Sequence, residues 1–161
     1  MNQLFKLLIV SVLASTMFVS PVVADPFLDA YNAYALKDYK VAFQLFKPLA
    51  VQGNATAQYN LGVMYDKGLG VPQVYTKAAI WFRKAAEQGH ATAQRNLGEM
   101  YIDGQGVPQD YVQAHMWFNL AAASRGGKAQ VGRDRIAKKM TRTQVAEAQK
   151  LAREWMAKHK K

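Results

Sequence analysis

Cysteine is absent from the 161-residue sequence. Its absence excludes disulfide bonds, zinc–thiolate clusters, iron–sulfur centres and lipid attachment through a thiol. Serine is also scarce, because Ser124 is the only one after residue 24, and no lysine follows it at the spacing of a serine-x-x-lysine motif. Long apolar runs are equally rare. Beyond residue 24 no segment is long and apolar enough to predict a membrane-spanning helix.

The one long apolar run lies at the start of the chain. Lys6 precedes it, the run covers 7–19, and a pattern of small residues ends at Ala24. These features predict a secretory signal peptide over residues 1–24 that is cut after Ala24. The alternative is an uncleaved membrane anchor, but the run is short for a spanning helix. We therefore expect the mature chain, 25–161, to be soluble and to reside in the periplasm or to be secreted.

Positive charge is concentrated near the C-terminus. The net charge is +10, yet residues 25–124 hold eight bases and eight acids, whereas residues 125–161 hold twelve bases and three acids. Such a cluster is more often a solvated surface than a binding site, and the alternative is contact with an anionic surface or an acidic partner. Because export is predicted, nucleic acid is not expected as a partner. The basic residues considered for such contact are Arg133, Arg135, Lys138, Lys139, Arg142 and Lys150.

An internal repeat is the strongest signal in the sequence. Residues 53–88 and 89–124 align without a gap, and 21 of the 36 aligned positions are identical. A fainter half-copy occupies residues 39–52. We assign residues 25–52 to an entry hairpin, the two copies to repeats, and residues 125–161 to a basic capping hairpin.

Each copy is predicted to form two helices. The first helix covers about 55–67 in one copy and 91–103 in the other, and it ends at Gly68 or Gly104 because glycine enters the left-handed conformation at little cost. Apolar residues of the second helix recur at i, i+3, i+4 and i+7, in the first copy Ala78, Trp81, Phe82 and Ala85. A lone hairpin cannot bury both of its faces, so the copies are expected to stack.

The two ends of the chain are predicted to be atypical units. Helices are expected over 26–36 and 39–52, and a degenerate one over 128–139. Thr141 then begins a last helix, with Gln144 completing a capping box and an i, i+4 pair expected between Glu154 and Lys158. The apolar stripe of that helix is Val145, Ala148, Leu151, Ala152 and Trp155. It is expected to cover a stripe on the second helix of the second copy that consists of Met116, Leu120 and Ala123.

The pattern that the two copies share resembles the Sel-one-like repeat, a relative of the tetratricopeptide repeat. The resemblance is close over 53–124 and loose over 39–52. It implies an all-α fold, a right-handed superhelical solenoid of stacked helix-turn-helix repeats, closed here by a C-terminal capping helix. The positions that carry it in the first copy are Ala57, Gln58, Leu61, Gly62, Met64, Tyr65, Gly68, Gly70, Val71, Ala78, Trp81, Phe82, Ala85, Ala86 and Gly89.

The resemblance also implies a function. It implies a scaffold or adaptor that binds a protein or peptide, often in the periplasm, and that in some cases regulates a membrane sensor or envelope assembly. Some secreted relatives carry disulfides between helices and a β-lactamase label. This chain has no cysteine, so it departs from that branch and the label is not carried over. The alternative function is a peripheral envelope-binding module that attaches through the basic C-terminal helices.

Positions that differ between the copies indicate where a partner could bind. In the first helices, three pairs of such positions fall on one face at i, i+4 and i+7. We predict that these residues line a concave partner-binding groove, and the alternative is an unselected solvated face. The predicted residues are Tyr59, Val63, Asp66, Arg95, Glu99 and Ile102. The corresponding differences in the second helix of the first copy predict a solvated convex face: Thr76, Lys77, Ala79, Ile80, Arg83, Lys84 and Glu87.

No pattern in the sequence predicts catalysis. His90, His115 and His159 have no second histidine or carboxylate at the spacing of a metal site. The acids are scattered at helix ends and loops, where they form no fixed pair for hydrolysis. The glycines after the first helices lack the strand and the lysine of a phosphate-binding loop. We therefore predict no catalytic residue, no metal, no cofactor and no enzyme activity.

Overall fold

A computed structural model describes residues 25–125 and 127–159, and within them the regular structure is entirely α-helical. The predicted signal peptide therefore lies outside the described residues. None of the helices described is both long and apolar enough to cross a membrane. In chain order the helices are α1 (Pro26–Ala35), α2 (Tyr39–Val51), α3 (Ala55–Lys67), α4 (Tyr75–Glu87), α5 (Ala91–Asp103), α6 (Tyr111–Arg125), α7 (Lys128–Ala137) and α8 (Arg142–Lys158).

The first helices of the two copies, α3 and α5, have the predicted bounds. The Asn54 side chain accepts a hydrogen bond from the backbone N–H of Ala57 at 2.9 Å, which satisfies one free amide of the first turn of α3. His90 occupies the same place in α5, where its Nδ1 accepts from Ala93 at 3.2 Å. The imidazole therefore does cap the helix, although the distance is longer. Left-handed glycines end both helices, as predicted.

The second helices, α4 and α6, begin differently in the two copies. Asp110 accepts hydrogen bonds from the backbone N–H groups of Val112 and Gln113 at 2.9 and 3.0 Å, as its capping chemistry predicts. Val74 holds the same position before α4 and supplies no side-chain cap. The two copies therefore share one backbone but differ in how well this helix end is satisfied.

Neighbouring units are joined by a buried glutamine that the copies share. Gln58 donates from Nε2 to the carbonyl of Ala50 at 3.0 Å, and Gln94 donates to the carbonyl of Ala86 at 3.1 Å. Each bond crosses from a first helix to the last turn of the preceding helix, whose final carbonyls lack partners within that helix. The bond therefore fixes the register between successive hairpins.

The loops after α3 and α5 also pack on the preceding unit. A Cβ at Gly70 would collide with the backbone of Tyr39, and a Cβ at Gly106 would collide with the backbone of Tyr75. Both glycines have positive φ angles of 70°. Glycine is required here both by the conformation and by the close approach of two backbones.

Within each repeat, a glycine on the first helix faces a phenylalanine on the second. A Cβ at Gly62 would lie 2.5 Å from Cδ1 of Phe82, and a Cβ at Gly98 would lie 3.2 Å from the ring of Phe118. Both phenylalanines are fully or almost fully buried. Small residues thus let the two helices approach, and the rings fill the space beside them.

The last helix closes the stack by lying on α6. Met116 and Leu120 are 6% and 2% exposed, and the ring of Trp117 meets that of Trp155 edge-on at 6.4 Å. The predicted docking of the C-terminal helix on this stripe is therefore confirmed for Met116 and Leu120. It is wrong for Ala123, which is exposed and lies outside the apolar cluster that Met116 and Leu120 form with α8.

The C-terminal unit is not a hairpin of the repeat type. α8 packs chiefly on α6, and its contacts with α7 are too few to make the two a packed pair. The α7 helix also ends at Ala137, two residues before the predicted end. The capping box of Thr141 and Gln144 is present as predicted. Glu154 pairs with Lys150 at 3.8 Å and not with Lys158, the predicted partner.

Candidate functional site

A groove of about 380 Å³ lies between α3 and α5, with α4 at its floor. We call it the α3–α5 groove. Because each repeat is a helical hairpin, α3 and α5 run in the same direction, and their side chains form the two walls. The lining residues are Tyr59, Val63, Asp66, Lys67, Phe82, Arg95, Asn96, Glu99, Met100, Asp103 and Gln105.

Aromatic side chains hold the start of the groove. The ring of Tyr59 stacks on the imidazole of His90 with centroids 4.7 Å apart and planes 18° apart. It also lies 5.9 Å from the buried ring of Phe82. Tyr59 is half-buried, so its ring is fixed on one side and open to the groove on the other. A side chain held in this way loses little conformational entropy when a ligand binds.

Charged side chains are distributed along the groove in both signs. Asp66 pairs with Lys67 at 3.1 Å, and Glu99 accepts from Arg135 of α7 at 2.6 Å. Arg95 donates to the side chain of its neighbour Asn96 at 3.2 Å. The Glu99 pair is exposed, whereas Asp66 and the Arg95 contact are half-buried, and contacts of this kind mainly orient the side chains.

Five of the six predicted partner-binding residues line this groove. The exception is Ile102, which packs against the apolar cluster beneath α7. Its equivalent in the first copy, Asp66, faces the groove because α5 lies beside that part of α3. The position is equivalent in the two copies, but a different helix lies beside it: α5 in the first copy and α7 in the second.

Sequence comparison of the copies missed several lining residues. Lys67 and Asp103 occupy equivalent positions and differ between the copies, so the same criterion could have found them. Asn96 is identical to its equivalent and therefore looked structural. Phe82 and Met100 are core residues whose edges form the floor. No signal in a single sequence indicates that a core side chain also contacts a groove.

The outer face of α4 carries a second, more apolar depression of about 480 Å³, between α4 and the loop at 106–108. Ile80 is 55% exposed there, which fits the predicted solvated face. Ala79 does not fit it, because the residue is only 3% exposed and belongs to the core cluster shared by α4, α5 and α6. A small side chain at the edge of a helical face is easily covered by the neighbouring helix.

The basic C-terminal residues are divided between ion pairs and open surface. Arg133 contacts Asp134 at 2.9 Å, Arg135 contacts Glu99 at 2.6 Å, and Lys150 contacts Glu154. The other three, Lys138, Lys139 and Arg142, are exposed near the turn between α7 and α8 and make no ion pair with the described side chains.

The histidines belong to no cluster of potential metal ligands in the part of the chain that the structure describes. His115 is buried on α6 and contacts Asn119 at 3.2 Å. Burial, followed by the nearby Arg133, lowers the pKa of His115 below its ordinary value of 6.5. Among residues 25–125 and 127–159 there is no group of three or more side chains that could together hold a metal ion.

Comparison with known proteins agrees with the repeat architecture. The family model described as Sel1 repeat matches residues 55–90 and 91–125. A protective antigen of uropathogenic Escherichia coli strains, which displays an SLR fold, is similar in structure with a TM-score of 0.79 and 36% identity, over 84% of this chain and 31% of that one. A Sel1 repeat protein from Oxalobacter formigenes is similar with a TM-score of 0.67 and 32% identity, over 80% of this chain and 55% of that one. The chain thus spans about a third and about half of the lengths of these two relatives, and it matches no curated protein.

Proposed function

The chain is a Sel1-repeat protein, and from this premise we propose that it is an exported scaffold or adaptor that binds another protein in the α3–α5 groove. Proteins with Sel1 repeats generally mediate protein–protein interactions. The observation that carries the proposal is that seven of the eight residues that differ between α3 and α5 meet in one groove. The shared positions are used for packing, so the variable ones are free to determine what binds.

Several features of the groove suit a protein segment as ligand. It combines a fixed aromatic ring at Tyr59, an apolar wall at Val63 and charges of both signs. Peptide recognition by helical repeats uses such mixed surfaces, in which apolar pockets and polar groups alternate. A role without catalysis, and regulation of an envelope or membrane protein, are parts of this proposal.

The proposal is tested by capture of a partner from the native envelope. The groove variant replaces Tyr59→Ala and Arg95→Ala together. The control variant replaces Tyr31→Ala and Lys40→Ala, which removes an exposed tyrosine of α1 and an exposed cation of α2 that do not line the groove. Circular dichroism and thermal unfolding verify that both variants are folded. We expect wild type and control to recover the same specific protein and the groove variant to lose it, and equal recovery by all three would contradict the assignment of the groove.

Export is the second part of the proposal, and the signal-like segment before Asp25 supports it. Expression of the full chain in a bacterial host, followed by fractionation and N-terminal sequencing, tests it directly. We expect a periplasmic or secreted product that begins at Asp25. A product that retains Met1 and stays in the cytoplasm or the membrane would contradict export or cleavage.

A second candidate function is attachment to an anionic envelope surface, which the exposed cations Lys138, Lys139 and Arg142 favour. Charge replacement at these three positions, with binding to anionic vesicles measured against salt concentration, tests it. Electrostatic attachment predicts binding that weakens as salt rises and is lost in the variant. Recovery of lipid or wall polymer without any protein in the capture experiment would favour this candidate.

A further inference from the structure

The charges of the α3–α5 groove are not equivalent. The acids Asp66 and Glu99 already form ion pairs with Lys67 and Arg135. Two lining residues of opposite sign have no ion-pair partner among the described side chains, namely Arg95 and Asp103. These two are therefore the groups with which the groove can attract charges on a ligand.

These two charges lie at opposite ends of the groove. They are eight residues apart on α5, which corresponds to about 12 Å along the helix axis. Arg95 lies near the start of its helix and Asp103 at the end. The helix macrodipole has the same polarity, because it is positive near the first turn and negative near the last. The groove is therefore positive at one end and negative at the other.

Apolar surface separates the two charged ends. Val63 lies between them on the opposite wall, one turn after the half-buried ring of Tyr59, and the edge of Met100 is at the floor. Glu99 also lies midway between them on α5, but its carboxylate is paired with Arg135. This middle part has room for a side chain but provides no charge of its own that is free of a partner. It favours an apolar side chain over a charged one, because a charge buried there would lose hydration without compensation.

The spacing matches an extended chain. Side chains at i, i+2 and i+4 of an extended segment point to the same side, and four residues span about 13 Å. The outer two side chains reach the two charged ends, and the middle one reaches the apolar part. A helical ligand would place residues i and i+4 only about 6 Å apart, which is half the distance required.

We propose that the occupant is an extended segment of a partner protein with one acidic and one basic side chain four residues apart and an apolar side chain midway between them. The acid contacts Arg95, the base contacts Asp103, and the apolar side chain packs beside Tyr59 and Val63. Either chain direction satisfies this arrangement, because the segment can reverse in the groove. The inference rests on the proposed function, since it specifies the chemistry of a ligand for the same groove.

Three labelled nine-residue peptides with serine elsewhere and blocked ends test the pattern. Their central five residues are Glu-Ser-Leu-Ser-Lys, Glu-Ser-Leu-Ser-Glu and Lys-Ser-Leu-Ser-Lys, and binding is followed by fluorescence anisotropy at low salt. We expect the wild-type chain to bind the mixed peptide about three- to tenfold more tightly than the other two, as for one attractive contact replaced by a repulsive one. Equal binding of the three peptides, or no binding of any, would overturn the inference.

Reversing the charges of Arg95 and Asp103 tests whether the peptide preference comes from these two residues. Arg95→Glu should change the preference to the peptide with two lysines, and Asp103→Lys to the peptide with two glutamates. The double variant should restore preference for the mixed peptide, which also verifies that the single variants fail through charge and not through unfolding. If the double variant ranks the three peptides in the same order as either single variant, Arg95 and Asp103 do not bind the charged side chains at the two ends of the ligand.

Failure of this inference and failure of the proposed function give different results. If the peptides show no charge pattern but the groove variant still loses its envelope partner, the groove binds a protein with another recognition pattern. If the groove variant captures the partner as well as wild type does, the proposed function itself is wrong. A loss of capture in both Arg95→Glu and Asp103→Lys that is reversed in the double variant supports both together.

Discussion

The helices α4 and α6 occupy equivalent places in the two copies, yet one has an open outer face and the other is covered. On α4 this face holds Ile80, which is 55% exposed, and Lys84, which is exposed as well. On α6 the equivalent residues are Met116 and Leu120, which are 6% and 2% exposed beneath α8. The hairpin is the same, and only the element that covers it differs.

This difference separates two kinds of position in the repeat. Residues shared by the copies maintain the hairpin and its junction with the preceding unit, as Gln58 and Gln94 do. Residues that differ reflect the surroundings of each copy. A charged side chain is favoured where the face meets water, and leucine is favoured where a helix covers it, because burial of apolar area stabilises the fold. Exchange of residues between the copies therefore tests the comparison directly.

The largest effect is expected when a residue of the open face is placed under α8. Leu120→Lys introduces the residue that α4 carries at the equivalent position, and it puts an unpaired charge into a buried contact. We expect the free energy of unfolding to fall by about 3 kcal/mol or more. Urea unfolding followed by circular dichroism and tryptophan fluorescence measures this, since Trp155 lies at the same contact.

The reciprocal exchange is the control for that variant. Lys84→Leu places an apolar side chain on the open face and should change stability by no more than about 0.5 kcal/mol. A similar loss in both variants would mean that the two faces are equally covered, which contradicts the comparison.

The next effect concerns the glycines that face a phenylalanine in each copy. Gly62→Ala would place a Cβ 2.5 Å from Phe82, whereas the contact at Gly98 is 3.2 Å. Alanine gains about 1 kcal/mol of helix propensity over glycine in both places, but overpacking at the tighter contact costs more. We expect Gly62→Ala to lower stability by about 1 to 2 kcal/mol and Gly98→Ala to be nearly neutral. Parallel thermal unfolding of the two variants decides this, and the reverse order would show that the second contact is the less tolerant.

A smaller effect is expected at the start of the second helices. Asp110→Ala removes the side chain that accepts from two backbone N–H groups, and this should cost about 1 kcal/mol. Val74→Asp introduces the same cap into α4, where none is present, and should stabilise the chain by about 0.5 kcal/mol. Denaturant unfolding of both variants is the measurement. A destabilised Val74→Asp variant would mean that packing of the valine outweighs the missing cap.

The smallest effect depends on pH and also distinguishes the copies. His115 is buried and its equivalent is Ala79, so only the second copy carries a titrating group in this place. Its pKa is lowered in the folded state by burial and by Arg133, so the unfolded chain binds a proton more readily and stability falls as pH drops below about 6.5. Nearby Asp134 opposes the shift but does not reverse it.

The matched variant for this prediction is His115→Gln, which keeps a polar side chain without the titration. Melting temperatures between pH 7.5 and 5.5 should decrease more steeply for wild type than for the variant. Parallel slopes would show that folding does not lower the pKa of His115.

Local signals made most of the fold predictable from sequence. The bounds of α3 and α5 follow from a capping residue before each helix and a glycine after it, and both features act within one turn. The capping box at Thr141 is equally local. The errors concern packing between units. The exposure of Ala123 and the burial of Ala79 depend on how far a covering helix extends, which periodicity within one helix does not specify.

The groove was predictable in part for the same reason. Copy comparison identified Tyr59, Val63 and Arg95 because such differences reveal positions that packing does not fix. It placed Ile102 wrongly, since the copies share a position but not the helix beside it. The pairing of Glu99 with Arg135 was not foreseen, because it joins a repeat to the basic C-terminal unit across 36 residues of chain.

Because α8 packs across α6, the array can be extended at the junctions that precede the last repeat but not after it. An additional 36-residue unit introduced between Gln88 and Gly89 would meet an unchanged hairpin on each side, because the glutamine bond and the glycine loop recur at every such step. The new unit would add a further stretch of groove wall while leaving the α6–α8 closure intact. The same insertion after Ser124 would separate α6 from its cover and uncover the apolar stripe. Repeats can therefore be added to this fold by duplication of an internal unit, but not by insertion between α6 and the helix that covers it.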